Sequence, residues 1–252
     1  METTAIRDLA IFVAGEPEPA ELINHLTHVT LAPLHPASVC LYRLGPADSG
    51  AKRREMLLVA HTGLSPREAN RYARIGTDFP LPLTKALARS LPHHQSLKVL
   101  TEEHPLFRVP PSLLSHGSLL LFPLQQAGVT EGIVACTLPG DIPWNPQTWQ
   151  NALAIQGLLT MYLQSPGQRW TPVRITDPDS AGIHTLTDRQ RAILTLVLEG
   201  KTTSGISARL GFAESTIKHD VHRAIAALGA TTRYEAAERA REFGLLDAAL
   251  SA

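Results

Sequence analysis

Between Gly211 and Gly229 the chain carries one apolar stripe, Ile217, Val221, Ala224, Ile225 and Leu228, at i, i+4, i+7, i+8 and i+11. At about 100° per residue these side chains occupy one side of a helix, and the flanking glycines predict its ends. Ser215, His219, His222 and Ala226 fall on the opposite side, with Lys218 at the stripe's edge. A helix with one narrow buried face needs neighbours to cover it, and the flanking sequence supplies them. Upstream, LTDRQRAILTLVLEG offers Thr187 as a cap and an inward stripe of Ile193, Leu194, Val197 and Leu198, with Gly200 as its stop. TTSGISARLG adds a short helix with Ile206 and Leu210 four apart, closed by Gly211, and the turn GFAE leads into the striped helix. TTRYEAAERAREFG forms a fourth helix capped by Thr. Helices joined by so short a turn form the layout in which one helix enters a DNA major groove.

The rest of the chain has a different pattern. Pro166, Gly167, Pro172, Pro178 and Gly182 crowd the stretch Ser165–Gly182, which reads as a linker. The organisation expected is a first domain over 1–164, a linker over 165–183 and a helical domain over 184–252. In the first domain, Leu22, Ile23, Leu26, Val29 and Thr30 make a helical stripe. SVCLYRL and EMLLVAH read as strands about the turn GPADSG, and SLLLFPL and EGIVACTL as a hairpin about QQAGVT. PREANRYARIG reads as helix, and the proline-rich stretch Thr77–His116 as irregular. A last helix covers Pro146–Gln164. The fold class expected is α+β: an antiparallel sheet with flanking helices, followed by an all-α tetra-helical domain.

Leu186 to Leu246 resembles the LuxR/FixJ-type DNA-binding domain. The matching residues are LTDRQRAIL, Gly200, Ile206, Leu210-Gly211, Thr216-Ile217-Lys218, Leu228-Gly229, Arg233, Glu235-Ala236-Ala237 and Gly244-Leu245-Leu246. The resemblance implies DNA contacts from Thr202, Thr203, Ser215, Thr216, Lys218, His219, His222 and Arg223. It places Thr216 at a phosphate, Lys218, His219 and His222 at base edges, and Arg223 near the backbone. Periodicity independently turns Ser215, His219 and His222 outward. The sequence departs from the family pattern at several points. Gly205 stands where Glu would complete a capping box with Thr202. Ala213 replaces a capping Ser. Asp220 replaces a common His, and with Glu214 it balances Lys218 and Arg223. From Leu186 onward nine Lys/Arg face eight Asp/Glu, so counterion release favours a dimer reading two half-sites over a monomer.

The segment from Leu22 to Gln164 resembles a GAF domain in RIGTDFPLPLTKAL, LLLFPL, EGIVACTL and the final LAIQ. That resemblance implies a small-molecule sensor or a dimerisation module. The polar set of the cyclic-nucleotide-binding subfamily and a bilin-attaching Cys are both missing from the sequence.

Several functions find no support in these residues. Lys+Arg and Asp+Glu number 23 each, so whole-chain charge indicates no polyanionic partner. No apolar run is long enough to span a bilayer, and Glu2 with no basic cluster argues against a secretory signal. Cys40 and Cys136 fit no metal spacing and read as buried thiols, which suits a reducing cytoplasm. His93, His94, His104 and His116 make no recognisable metal motif. Ser115-His116 is not a triad, and Gly45, Gly50 and Gly63 make no phosphate loop. The expectation is a cytoplasmic, homodimeric, sequence-specific regulator of double-stranded DNA. It has a GAF-like input for a small-molecule effector or partner, and no catalytic site, metal, cofactor or membrane segment. The alternative is a protein-interaction module whose DNA-binding domain has degenerated, motivated by Gly205, Ala213 and Asp220.

Overall fold

The computed structural model describes residues 3–45, 54–104, 107, 109, 111–165, 170–174 and 186–246. In chain order the first domain comprises α1 (Thr3–Ala14), α2 (Pro19–His25), β1 (Ser38–Leu44), β2 (Glu55–Thr62), α3 (Pro66–Arg71), β3 (Arg74–Gly76) and α4 (Pro82–Ala86). Then come β4 (His93–Ser96), α5 (Leu97–Glu103), α6 (Pro111–Leu114), β5 (Ser118–Gln126), β6 (Val129–Leu138) and α7 (Pro146–Gln164). The strands form one antiparallel sheet in the order β3-β2-β1-β6-β5-β4. The fold is therefore the α+β class read from the sequence.

Strand alternation sends successive side chains to opposite faces. Val39 and Leu41 of β1, Phe122 of β5 and Val134 of β6 join one core with Leu9 of α1, Leu22 of α2 and Leu159 of α7. Cys40, Tyr42, Leu58, Leu121 and Ala135 join the other, beneath Phe79, Leu83, Leu97 and Phe107. Both cysteines are buried, on opposite faces. Helix α7 is tied to the sheet by polar groups as well. Gln156 donates to the Pro123 carbonyl at 2.6 Å and the Ser90 carbonyl at 2.8 Å, and the Tyr162 hydroxyl donates to Pro17 at 2.7 Å. Pro123 is tolerated inside β5 because β4 pairs only with residues 118–121, so its missing N–H interrupts no ladder.

Several elements differ from the sequence reading. Thr3–Ala14 is a helix, and Leu9 and Val13 are its inward positions. Helix α2 runs on into a π-helical turn, Leu26–Thr30, in which Leu31 N–H donates to the Leu26 carbonyl at 2.8 Å. The wider turn carries Val29 off the expected stripe, and it is 44% exposed. PREANRYARIG is helical only to Arg71; Arg74–Gly76 becomes β3, because Glu55–Leu57 of β2 offer it a ladder. The stretch read as irregular holds α4, α5, α6 and the edge strand β4. The GPADSG turn beyond Gly45 and Pro178 and Gly182 of the linker lie outside the described residues. Within the linker, Val173 N–H donates to the Leu58 carbonyl at 2.8 Å, and Trp170 packs edge-on against Tyr162 with ring centroids 5.5 Å apart.

The second domain comprises α8 (Asp188–Leu198), α9 (Thr203–Leu210), α10 (Glu214–Leu228) and α11 (Arg233–Glu242). Thr187 and Gln190 close a reciprocal capping box on α8. Helices α9 and α10 stop at Gly211 and Gly229, whose φ values of 71° and 62° are left-handed and cheap for glycine alone. Among the described residues no helix is long and apolar enough to cross a membrane.

Candidate nucleic-acid interface

The candidate interface is built on α10. Ile217, Ala224 and Leu228 are buried and Val221 and Ile225 half-buried, so the predicted stripe is the packed face. Ser215, Lys218, His219, His222 and Arg223 are exposed, and Thr216 is half-buried in the first turn. Thr202 is exposed and Thr203 half-buried at the start of α9. The Thr202 hydroxyl accepts from Gly205 N–H at 3.1 Å, so one half of the capping box survives. Ala213 gives α10 no side-chain cap, which leaves its first-turn N–H groups open to an outside acceptor.

Asp220 corrects the charge balance expected of this helix. It is buried at 4% exposure, and its carboxylate accepts from Arg189 Nε of α8 at 2.5 Å. Arg189 also lies over the Phe212 ring at 4.9 Å, bracing the turn between α9 and α10. Asp220 is thus neutralised on the inner side, and the exposed side keeps Lys218 and Arg223 against Glu214, a net charge of +1 before histidine protonation. The far end is held by Arg239 of α11, which donates to the Leu228 and Gly229 carbonyls at 2.9 and 2.7 Å. A cation on the last carbonyls of a helix also suits its dipole. Hydrogen bonds from the Thr231 hydroxyl and N–H hold the Glu235 carboxyl below its ordinary pKa, and Glu235 accepts from Arg239 in turn.

A second charge was invisible to the stripe reading. Arg191 on α8 is 3% exposed and donates to the Leu186 carbonyl at 2.9 Å, the Leu245 carbonyl at 2.6 Å and Asp78 at 2.9 Å. The first two bonds close the ends of the helical domain on each other. The third crosses to the first domain, where Asp78 follows β3 and precedes Phe79 and Leu81 of the core. Arg191 was not singled out from the sequence; the signal available was an arginine about one turn before Leu194, beside an otherwise apolar stripe. The α10 face stays exposed with this contact in place.

In the first domain, a cavity of about 80 Å³ opens beside Cys40, Tyr42, Tyr72, Leu83 and Phe107, under the 77–116 stretch. Burial pushes the Cys40 thiol up to about 12, with the Glu68 charge adding to it, and burial raises the Cys136 thiol further. Of the loop histidines, His93 and His94 sit on β4 and His104 is buried with its Nδ1 2.6 Å from the Pro80 carbonyl. Among the described residues no group of three metal-ligating side chains converges.

Residues 184–240 match the family of bacterial regulatory proteins, luxR family. This segment is a LuxR-family helix-turn-helix domain. No curated protein matches the chain. Ahead of the LuxR-family domain, the chain is similar in structure to several GAF domains and to a methionine sulfoxide reductase. One is a GAF domain of a phosphoenolpyruvate-protein phosphotransferase from Coxiella burnetii, at 15% identity and TM-score 0.48, covering 64% of this chain and 90% of that one. Another is the nlh2 GAF domain from A. aeolicus in an inactive state, at 12% and 0.45, covering 64% and 94%. Free methionine-R-sulfoxide reductase from Neisseria meningitidis, in complex with its substrate, gives 14% and 0.48, covering 65% and 92%.

Proposed function

We propose that the chain is a homodimeric transcription regulator that reads double-stranded DNA with α10 and takes its input through the first domain. The observation that carries this is the outer face of α10. Ser215, Lys218, His219, His222 and Arg223 are all exposed on it, while Asp220 is turned inward onto Arg189. Phosphate contacts from Thr216, Arg223 and the open first turn would set register, and Lys218, His219 and His222 would meet base edges. Thr202 and Thr203 would add backbone contacts from α9. On this reading the protein acts in the cytoplasm as a binding protein, and the buried Cys40, its thiol pushed up to about 12, offers little thiolate nucleophile at neutral pH.

Input reaches the DNA-binding half through the Asp78–Arg191 contact. A small effector or partner in the first domain acts by favouring one pose of the LuxR-family domain over another, and it must bind the two poses unequally to do so.

The test is a salt-titrated binding assay on genomic fragments selected by the full chain, followed by footprinting. Lys218→Ala should weaken operator binding and reduce the slope of log affinity against log salt by about 1. Unchanged affinity would remove Lys218 from the interface. A second reading, an interaction module without DNA binding, draws on the uncapped Ala213. Absence of any preference over random duplex at low salt would favour it.

A further inference from the structure

The sheet face that carries α1 and α7 holds a second cavity, distinct from the one beside Cys40. It measures about 350 Å³, against about 80 Å³ for the inner one. Small-molecule sites run upward from roughly 300 Å³. Its walls are Arg43 of β1, Arg54 just ahead of β2, Leu57 of β2, Glu131 of β6, and Trp170 and Pro172 of the linker. The linker therefore roofs a cleft whose floor is the sheet, and the Val173–Leu58 hydrogen bond fastens the roof.

The charges in the cleft are unevenly satisfied. Arg54 is already paired: its guanidinium grips Glu131 through two bonds of 3.0 and 2.6 Å, and its Nε donates to the Gly45 carbonyl at 3.1 Å. Arg43 is half-buried and lies over the Trp170 ring at 5.0 Å, and among the described residues its guanidinium makes no ion pair or hydrogen bond. Burial lowers its pKa, with Glu131 opposing that shift at longer range. A guanidinium has five N–H donors in one plane, matched to a carboxylate's two oxygens. Among the described residues, Arg43 and Arg54 against Glu131 leave the lining at +1, which one negative charge completes and two would overshoot. The Trp170 ring, Leu57 and Pro172 offer apolar contact beside that charge.

We propose that this cleft binds a small organic monocarboxylate with a flat or short apolar body, its carboxylate on Arg43 and its body against Trp170 and Pro172. Such a ligand bridges sheet and linker. It sets how firmly the strap that leads to the LuxR-family domain is held down.

Full-length protein carrying Trp144→Phe and Trp149→Phe leaves Trp170 as its one indole, since the chain has three tryptophans. It is titrated with benzoate, benzamide, benzylamine and inorganic phosphate, reading Trp170 emission, while the Tm of the unaltered chain is followed in parallel. Benzoate should produce a saturable emission change and a higher Tm. Benzamide, benzylamine and phosphate should bind about tenfold more weakly or worse, as expected for loss of a charge-assisted hydrogen bond or addition of a surplus charge. Arg43→Gln should weaken benzoate by about the same factor, with Arg43→Lys between the two. Should Arg43→Gln fold poorly, Trp170→Leu serves instead, and the benzoate-induced Tm rise should vanish. Equal binding of benzamide, full benzoate affinity in Arg43→Gln, or no saturable response to benzoate would each overturn the assignment. No DNA enters the measurement, so its failure is distinct from failure of the operator assay.

Discussion

Arg191 shows how much one side chain carries here. Its guanidinium is buried and answers three acceptors on three segments: Leu186 ahead of α8, Leu245 beyond α11, and Asp78 in the other domain. Removing a buried charge from its partners is costly because they stay buried and unsatisfied, typically about 3–5 kcal/mol. Arg191→Met is therefore expected to lose about that much in urea unfolding of the full chain. Asp78→Asn, which leaves the two carbonyl bonds of Arg191 in place, should lose about 1–3 kcal/mol. Equal costs for the two variants would mean that the inter-domain arm carries the whole effect and that the two carbonyl bonds add nothing to it. Asp220 makes the same point in a different way. Periodicity counts it among the charges of α10, whereas packing against Arg189, 31 residues earlier, withdraws it from the exposed side. No local pattern reveals a partner at that separation, and still less one 113 residues away, as for Asp78 and Arg191.

Among the elements, legibility followed length and amphipathicity. Strands β1, β2, β5 and β6 and helices α7 to α11 were readable because each buries a periodic face or carries a cap such as Thr187 or Thr232. Strand β3 has three residues, and β4 has four polar ones, His93 to Ser96, paired along one edge only. Neither leaves a period long enough to detect. The exposed side of α10 was legible for the converse reason, since its stripe fixes which residues face out. The segment around β4 has a testable consequence. Burial, the largest cause for each, lowers the pKa of His93, His94 and His104 below the ordinary value of 6.5. Between the folded pKa values and about 6.5 the unfolded chain binds more protons, so stability rises with pH through that window and is lost as pH falls. The urea midpoint of the full chain should drop between about pH 7.5 and about pH 5.5, and His104→Gln should flatten the change. A midpoint that rises on acidification would contradict the burial of these rings.

For the whole molecule, the proposed function raises the question of how one helix of modest charge would bind a duplex tightly. A single α10 presents a net charge of only +1 on its outer side, and affinity for a duplex grows with the number of phosphates neutralised. Pairing two copies would double that number and set the spacing of two half-sites. The surface suited to pairing is on the first domain, where α1 and α7 pack together and leave Ile11 68% and Met161 65% exposed. Large apolar side chains so exposed on adjoining helices are the expected mark of a self-association surface. A variant carrying Ile11→Glu and Met161→Glu places like charges on both copies of that surface. It should sediment as a monomer, keep the thermal transition of the parent, and show about half the parent's salt slope on an operator carrying both half-sites. A variant that stays dimeric would move the contact elsewhere, with exposed Tyr234 on α11 the next candidate. A monomer with the full slope would mean that one α10 and its surroundings neutralise every phosphate the complex uses, and a dimer would then be unnecessary for affinity.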